Sequence, residues 1–265
     1  MSEFIFEQKT LYYEVYGKGR PLVILNGLLM STTNWRYAKN VLSKNHKVII
    51  IDMLDQGRSS RMPSNYSHTL QVEAINQLLI SLDIISFYML GVSYGGNIAI
   101  EYATTYPDRV IGLILSNTAA VYTEAYDMLN LIFSKTAKTG NGLECYDTLM
   151  PLLYSKDFLV NSFYIKKHYR ALVTYLSNRA MSSALARLTR SAVDYNQLAN
   201  LKSISCPVLV IGCDKDILVP VNKQQDICDR LPDAKLVVVE NCGHSVIQEK
   251  PAEFLNIISR WLMGI

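Results

Sequence analysis

The sequence predicts an α/β protein, a doubly wound and mostly parallel sheet interrupted by one helical insertion. Three observations carry that expectation. Short runs that are apolar at every position recur along the chain, as strands buried on both faces require. Longer stretches with apolar residues at helical spacing separate them. The chain has 265 residues, 49% hydrophobic and 18% charged, which suits one large globular α/β unit with a sizeable core.

Taken in order, Tyr12 to Tyr16 reads as a strand closed by the turn Gly17-Lys18-Gly19. Leu22 to Leu25 is a wholly apolar strand ending at Asn26-Gly27, and residues 32–43 read as a helix. Val48 to Ile51 is a second buried strand, ending at Asp52. Residues 69–82 place Leu70, Val72, Ile75, Leu78, Leu79 and Leu82 close to helical spacing. A strand at 87–92, a helix at about 94–106 and a strand at 110–115 follow. Two further strands lie at 208–211 and 236–239, each with a helix behind it, near 222–230 and 252–261. Strand–helix alternation at this spacing implies right-handed crossovers, with reactive residues at the carboxyl ends of the strands.

Residues 118–201 break the alternation. They hold eight of the 17 tyrosines, Tyr126 among them, and look helical at 127–138 and 182–193. This stretch is expected to be a lid over the catalytic edge, with residues 1–117 and 202–265 as the core.

The net charge of +3, from 26 basic and 23 acidic residues, is too balanced for a nucleic-acid partner, and no run of Lys and Arg exceeds two. Five cysteines at 145, 206, 213, 228 and 242 show no paired spacing, which reads as buried thiols in a reducing compartment. Neither a secretion signal nor a membrane span is apparent, so a cytoplasmic protein is expected.

Gly91-Val92-Ser93-Tyr94-Gly95 fits G-x-S-x-G, directly after an apolar strand and at the start of a helix. That setting gives the pattern its meaning: the serine sits on a tight strand-to-helix turn, and glycines allow neighbouring chain to approach. A serine hydroxyl needs a base with a pKa near neutrality, which points to histidine. His46 precedes a strand, at the wrong end of the sheet; His68 lies near a helix cap; His168 lies in a charged stretch. His244 follows a strand in the loop Asn241-Cys242-Gly243-His244, and topology selects it. The carboxylate that orients it should also follow a strand; Asp214 and Asp216 compete. Asp52 also ends a strand and reads as a loop brace.

With those residues in place, the sequence resembles the α/β-hydrolase superfamily over nearly its whole length. The run 91–96 resembles its nucleophile elbow. Asp52 to Ser60 is similar to the loop that often reads D-x-x-G-x-G-x-S, although Asp55-Gln56-Gly57 lacks its first glycine. Asp216 to Pro220 resembles the D-x-x-x-P around the family's acid, which favours Asp216 over Asp214. Gly243-His244, with Glu249 and Pro251, resembles its histidine loop and final helix. Many members carry His-Gly where this chain has Asn26-Gly27.

The resemblance implies a serine hydrolase with Ser93 as nucleophile, His244 as base and Asp216 as its orienting acid. It implies an oxyanion hole built from the backbone N–H groups of Leu28 and Tyr94, and no metal or cofactor. A serine nucleophile argues against dehalogenase and epoxide hydrolase chemistry, which uses a carboxylate in this fold. The expected partner is a small molecule with an apolar acyl or alcohol group. A carboxylic ester leads; a thioester, a carbon–carbon bond substrate and a low-turnover ligand sensor on the same scaffold are the alternatives.

Overall fold

A computed structural model describes residues 2–122 and 124–264, without the side chains of residues 125 and 126; Tyr126 of the insertion therefore lies outside the described side chains. The chain opens with a hairpin, β1 (Ser2–Phe6) and β2 (Lys9–Tyr16), rather than the single strand at 12–16 expected from the sequence.

The expected core strands follow: β3 (Arg20–Leu25), β4 (His46–Asp52), β5 (Phe87–Val92), β6 (Val110–Ser116), β7 (Val208–Cys213) and β8 (Ala234–Val239). They form one eight-stranded sheet in the order β1-β2-β4-β3-β5-β6-β7-β8, antiparallel at β1/β2 and β2/β4 and parallel elsewhere. Successive residues of a strand face opposite sides of a sheet. Val23, Leu25, Ile49 and Ile51 accordingly pack with α2 (His68–Ser81) and α3 (Tyr94–Thr105) on one face. Leu22, Ile24, Val48 and Ile50 pack on the other, with α1 (Arg36–Leu42) and the last helix. That double cover explains the unbroken apolar runs. β8 is the exception: Leu236 to Val239 is equally apolar, yet β8 is the sheet's edge and Val238 is 40% exposed.

The helix expected over 32–43 is divided. Thr32–Trp35 forms a 3-10 turn before α1 begins. Two side-chain bonds hold that turn: the Thr32 N–H donates to Asp52 Oδ1 at 2.7 Å, and Trp35 Nε1 donates to Asn26 Oδ1 at 2.7 Å.

Between β6 and β7 lie five helices: α4 (Glu124–Thr139), α5 (Gly142–Leu153), α6 (Lys156–Asn161), α7 (Phe163–Ser177) and α8 (Arg179–Ser191). α5 to α8 each start at an Asn or Ser whose side chain accepts a first-turn N–H: Asn141, Ser155, Ser162 and Asn178. These helices bury their own apolar cluster, including Phe133, Leu149, Met150, Leu176 and Leu185. The chain closes with α9 (Val221–Cys228), α10 (Val246–Glu249) and α11 (Pro251–Met263). No described helix is long and apolar enough to cross a membrane.

Candidate active site

Ser93 occupies the turn between β5 and α3 with φ 51° and ψ −117°, a region L-residues rarely adopt and that costs about 1–3 kcal/mol. Packing enforces it. A Cβ on Gly91 would lie 2.4 Å from the Gly95 carbonyl oxygen, and one on Gly95 would lie 2.5 Å from the Leu25 carbonyl oxygen. The Ser93 N–H donates to the Ser116 carbonyl at 2.8 Å, which ties the turn to the end of β6.

His244 and Asp216 come to this turn from the loops after β8 and β7. His244 Nε2 lies 2.8 Å from Ser93 Oγ, and His244 Nδ1 lies 2.8 Å from Asp216 Oδ2. Asp216 and His244 are only 4% and 5% exposed. The remaining lone pairs of the carboxylate are occupied: Oδ1 accepts the N–H groups of Leu218 at 3.0 Å and Val219 at 2.9 Å. Oδ2 also accepts from Asn117 Nδ2 at 2.9 Å. Four donors thus satisfy this one buried carboxylate.

Asp214 is not part of this chain of bonds. Its Oδ1 accepts the Cys242 N–H at 3.1 Å, and its Oδ2 lies 3.4 Å from Lys215 Nζ. The other histidines stand elsewhere. His46 is half-buried at the start of β4 against Tyr88, rather than on a surface loop. His168 Nδ1 bonds the Tyr164 carbonyl within α7, and His68 is buried beneath Tyr94 and Tyr195.

Tyr94 begins α3, and Leu28 follows the end of β3 by three residues. Gly27 and Gly95 are the contact points between these segments: a Cβ on Gly27 would lie 3.5 Å from that of Ser93, and one on Gly95 would lie 2.6 Å from the Asn26 carbonyl oxygen. Among the described residues, no protein acceptor takes the backbone N–H of Leu28 or of Tyr94. The helix start also places positive dipole character at the serine.

Three residues without an assigned role in the sequence reading brace these loops. Asn117, at φ 50° after β6, holds Asp216; an Asn ending an apolar strand is the one sequence signal for it, because Asn tolerates that backbone region. Gln56 Nε2 donates to the Gly27 carbonyl at 3.0 Å. Glu249 Oε1 accepts from the Gly243 N–H at 3.2 Å and the Ser155 N–H at 2.8 Å, joining the histidine loop to the start of α6. Asn26, which replaces the more usual His, is fully buried and donates to the Ile51 carbonyl and to Asp52 while accepting from Trp35. Asp52 is the brace expected of it, although burial raises its pKa despite the N–H groups of Arg58 and Thr32.

Ser93 and His244 open into a cavity of about 970 Å³, its mouth included. The insertion supplies much of its wall, with Phe133, Leu149, Met150, Leu153 and Leu185. Among the described residues, no Lys, Arg, Asp or Glu lines it. Among the described residues, no cluster of three His, Cys, Asp or Glu side chains is placed to hold a metal ion.

Comparison with known proteins bears on this arrangement. MGS-M2, an alpha/beta hydrolase enzyme from a Medee basin deep-sea metagenome library, superposes with a TM-score of 0.95 at 34% identity, covering 97% of this chain and 95% of that one. A thermophilic esterase from Thermogutta terrifontis shares the fold, with a TM-score of 0.85 at 24% identity over 97% of this chain and 94% of its own. A 2-hydroxy-6-oxo-6-(2'-aminophenyl)hexa-2,4-dienoic acid hydrolase of Metapseudomonas resinovorans is 22% identical over 252 residues, 94% of this chain and 85% of its own. The profile described as the alpha/beta hydrolase fold matches residues 20–251, and the chain belongs to that family.

Proposed function

We propose that the protein is a serine hydrolase that cleaves a neutral carboxylic ester through an acyl-enzyme on Ser93. The observation that carries the reading is the unbroken line of hydrogen bonds from Asp216 through His244 to Ser93, at 2.8 Å in both steps.

Each role follows from its surroundings. Asp216 accepts the Nδ1–H of His244, which leaves Nε2 unprotonated and facing the serine hydroxyl. Ser93 Oγ attacks the ester carbonyl as its proton passes to Nε2. The carbonyl oxygen becomes an oxyanion, received by the free N–H groups of Leu28 and Tyr94; one such donor is worth roughly 3–4 kcal/mol. His244 then gives the proton to the departing alkoxide as the carbon–oxygen bond breaks. A water attacks the acyl-enzyme, His244 takes its proton, and the same proton returns to Ser93 as the acid leaves.

Residues 118–201 act in this reading as the lid that supplies the apolar wall for the acyl or alcohol group. The lining supports a neutral ester over a charged substrate. A dienoic acid, the substrate in the name of the Metapseudomonas relative, carries a carboxylate at neutral pH. Burying a carboxylate without a cation is costly, and no Lys or Arg among the described residues lines this cavity. A neutral ester meets no such penalty.

Replacing Ser93 with Ala and following p-nitrophenyl ester turnover tests the proposal. A loss of about 10⁴-fold or more is expected; unchanged turnover ends it. A panel of aryl esters, acyl thioesters and vinylogous diketones then separates ester from thioester and carbon–carbon cleavage. Turnover below about one per minute on every member would favour a ligand sensor instead.

A further inference from the structure

The cavity wall is mainly apolar, and its polar side chains include Asn34, Asn130, Thr189, Ser245 and Gln248. Asn130, on α4, lines the same cavity as Ser93 and His244 and is only 4% exposed. Its amide nitrogen Nδ2 is buried and has no hydrogen-bond partner among the described residues. Of the described buried side-chain polar atoms left without a partner, it is the one whose residue lines this cavity. Its polar neighbour in the wall, Thr189, is already committed: Oγ1 donates to the carbonyls of Leu185 and Ala186 at 3.1 and 3.0 Å.

A buried N–H left without an acceptor is destabilising, and an apolar side chain would fill the same place without that cost. The amide makes physical sense if its acceptor arrives with the substrate. We propose that Asn130 is a specificity-determining donor that binds a neutral oxygen acceptor of the substrate, a ketone or ether oxygen, away from the scissile carbonyl. The role of Asn130 rests on the reading of Ser93 as nucleophile. The acceptor is neutral because no cation lines the wall to offset a carboxylate or phosphate. It is separate from the reacting carbonyl because that oxygen goes to the amides of Leu28 and Tyr94. The substrate class is therefore an uncharged, mainly apolar ester with a second oxygen function.

The test uses the full chain and two series of aryl and alkyl esters. In one, p-nitrophenyl hexanoate is compared with analogues in which a single methylene at C4 or C5 is replaced by an ether oxygen or a ketone carbonyl. In the other, the same replacements are made in the alcohol chain. The quantity read is the ratio of kcat/KM for each oxygen-bearing ester to that of its all-carbon parent. At least one member is expected to exceed its parent about tenfold in the wild type, and that ratio should fall to about one in Asn130→Leu. Asn130→Met, which fills a similar volume and carries no N–H or O–H donor, should lose it as well. No favoured member in the wild type, or a preference that survives in either variant, overturns the assignment. A fluorophosphonate label at Ser93, counted by peptide mass, is read in parallel for every protein. Full labelling with an unchanged ratio removes only the role of Asn130, whereas no labelling in the wild type removes the nucleophile.

Discussion

Gln56 donates from Nε2 to the carbonyl oxygen of Gly27 at 3.0 Å, while its own Oε1 accepts the Met53 N–H at 3.3 Å. The carbonyl of Gly27 and the N–H of Leu28 belong to one planar peptide unit. A bond that fixes the first fixes the direction of the second, and it polarises the amide that would receive the oxyanion. Gln56 is thus a positioning residue, and its removal should act on the transition state more than on substrate binding. Gln56→Leu is expected to lower kcat about tenfold with KM within about twofold, at an unchanged Ser93 labelling stoichiometry. A rise in KM with kcat unchanged would show that the side chain serves only the shape of the loop.

Arg187 of α8 grips Asp55 with two bonds, from Nε at 2.9 Å and Nη2 at 2.6 Å. The carboxylate is fully buried and the guanidinium 15% exposed. Asp55 sits at φ 69° in the position where related loops carry glycine, so the departure from that pattern fastens the insertion to the sheet. Removing one partner of a buried pair strands the other charge. Arg187→Ala should therefore destabilise the protein by about 3 kcal/mol, or several degrees in the thermal midpoint. Calorimetry checks this; an unchanged midpoint would mean that water replaces the guanidinium without loss.

His68 predicts an acid-sensitive fold. Burial holds its pKa down to about 3, and its Nε2 has no partner among the described residues. The rings of Tyr94 and Tyr195 pack on it, and Glu101 Oε2 lies 3.7 Å from Nδ1, its own pKa raised by burial. The folded protein keeps the imidazole neutral, whereas the unfolded chain binds a proton below about pH 6.5. Stability from this group is complete above that pH and falls as pH drops toward 3, by about 1.4 kcal/mol per unit. Urea titrations at pH 6.5 and 5 should differ by about 2 kcal/mol from this source. His68→Phe should flatten the difference, and an unaltered slope would assign the acid limb to other groups.

The parts of the molecule visible in the sequence are those with a local cause. Gly91 to Gly96 announces a tight turn by composition alone, and the apolar runs of β3, β4, β5 and β7 follow from burial on both faces. Where the cause is tertiary, the sequence is silent or misleading. Leu236 to Val239 looks as buried as β4 because nothing local marks an edge strand. α5, α6 and α7 were hidden inside one long helical stretch, although Asn141, Ser155 and Ser162 mark their starts. Asp214 and Asp216 share a loop; the spacing to Pro220 favours Asp216, and the fold sets its carboxylate against His244 while Asp214 turns to the Cys242 N–H. Gln56 and Asn117 owe their places to contacts 29 and 99 residues away, and Asn130 to a cavity between elements, which no local pattern encodes.

The most direct test of nucleophilic catalysis is to trap the acyl-enzyme. The protein is mixed with a p-nitrophenyl ester, quenched in acid within the first turnover, and analysed by intact mass and peptide mapping. One acyl group on the peptide containing Ser93, absent from Ser93→Ala, is the predicted result. Continued turnover with Ser93 unmodified in the trapped protein, or an acyl group on another residue, would contradict it.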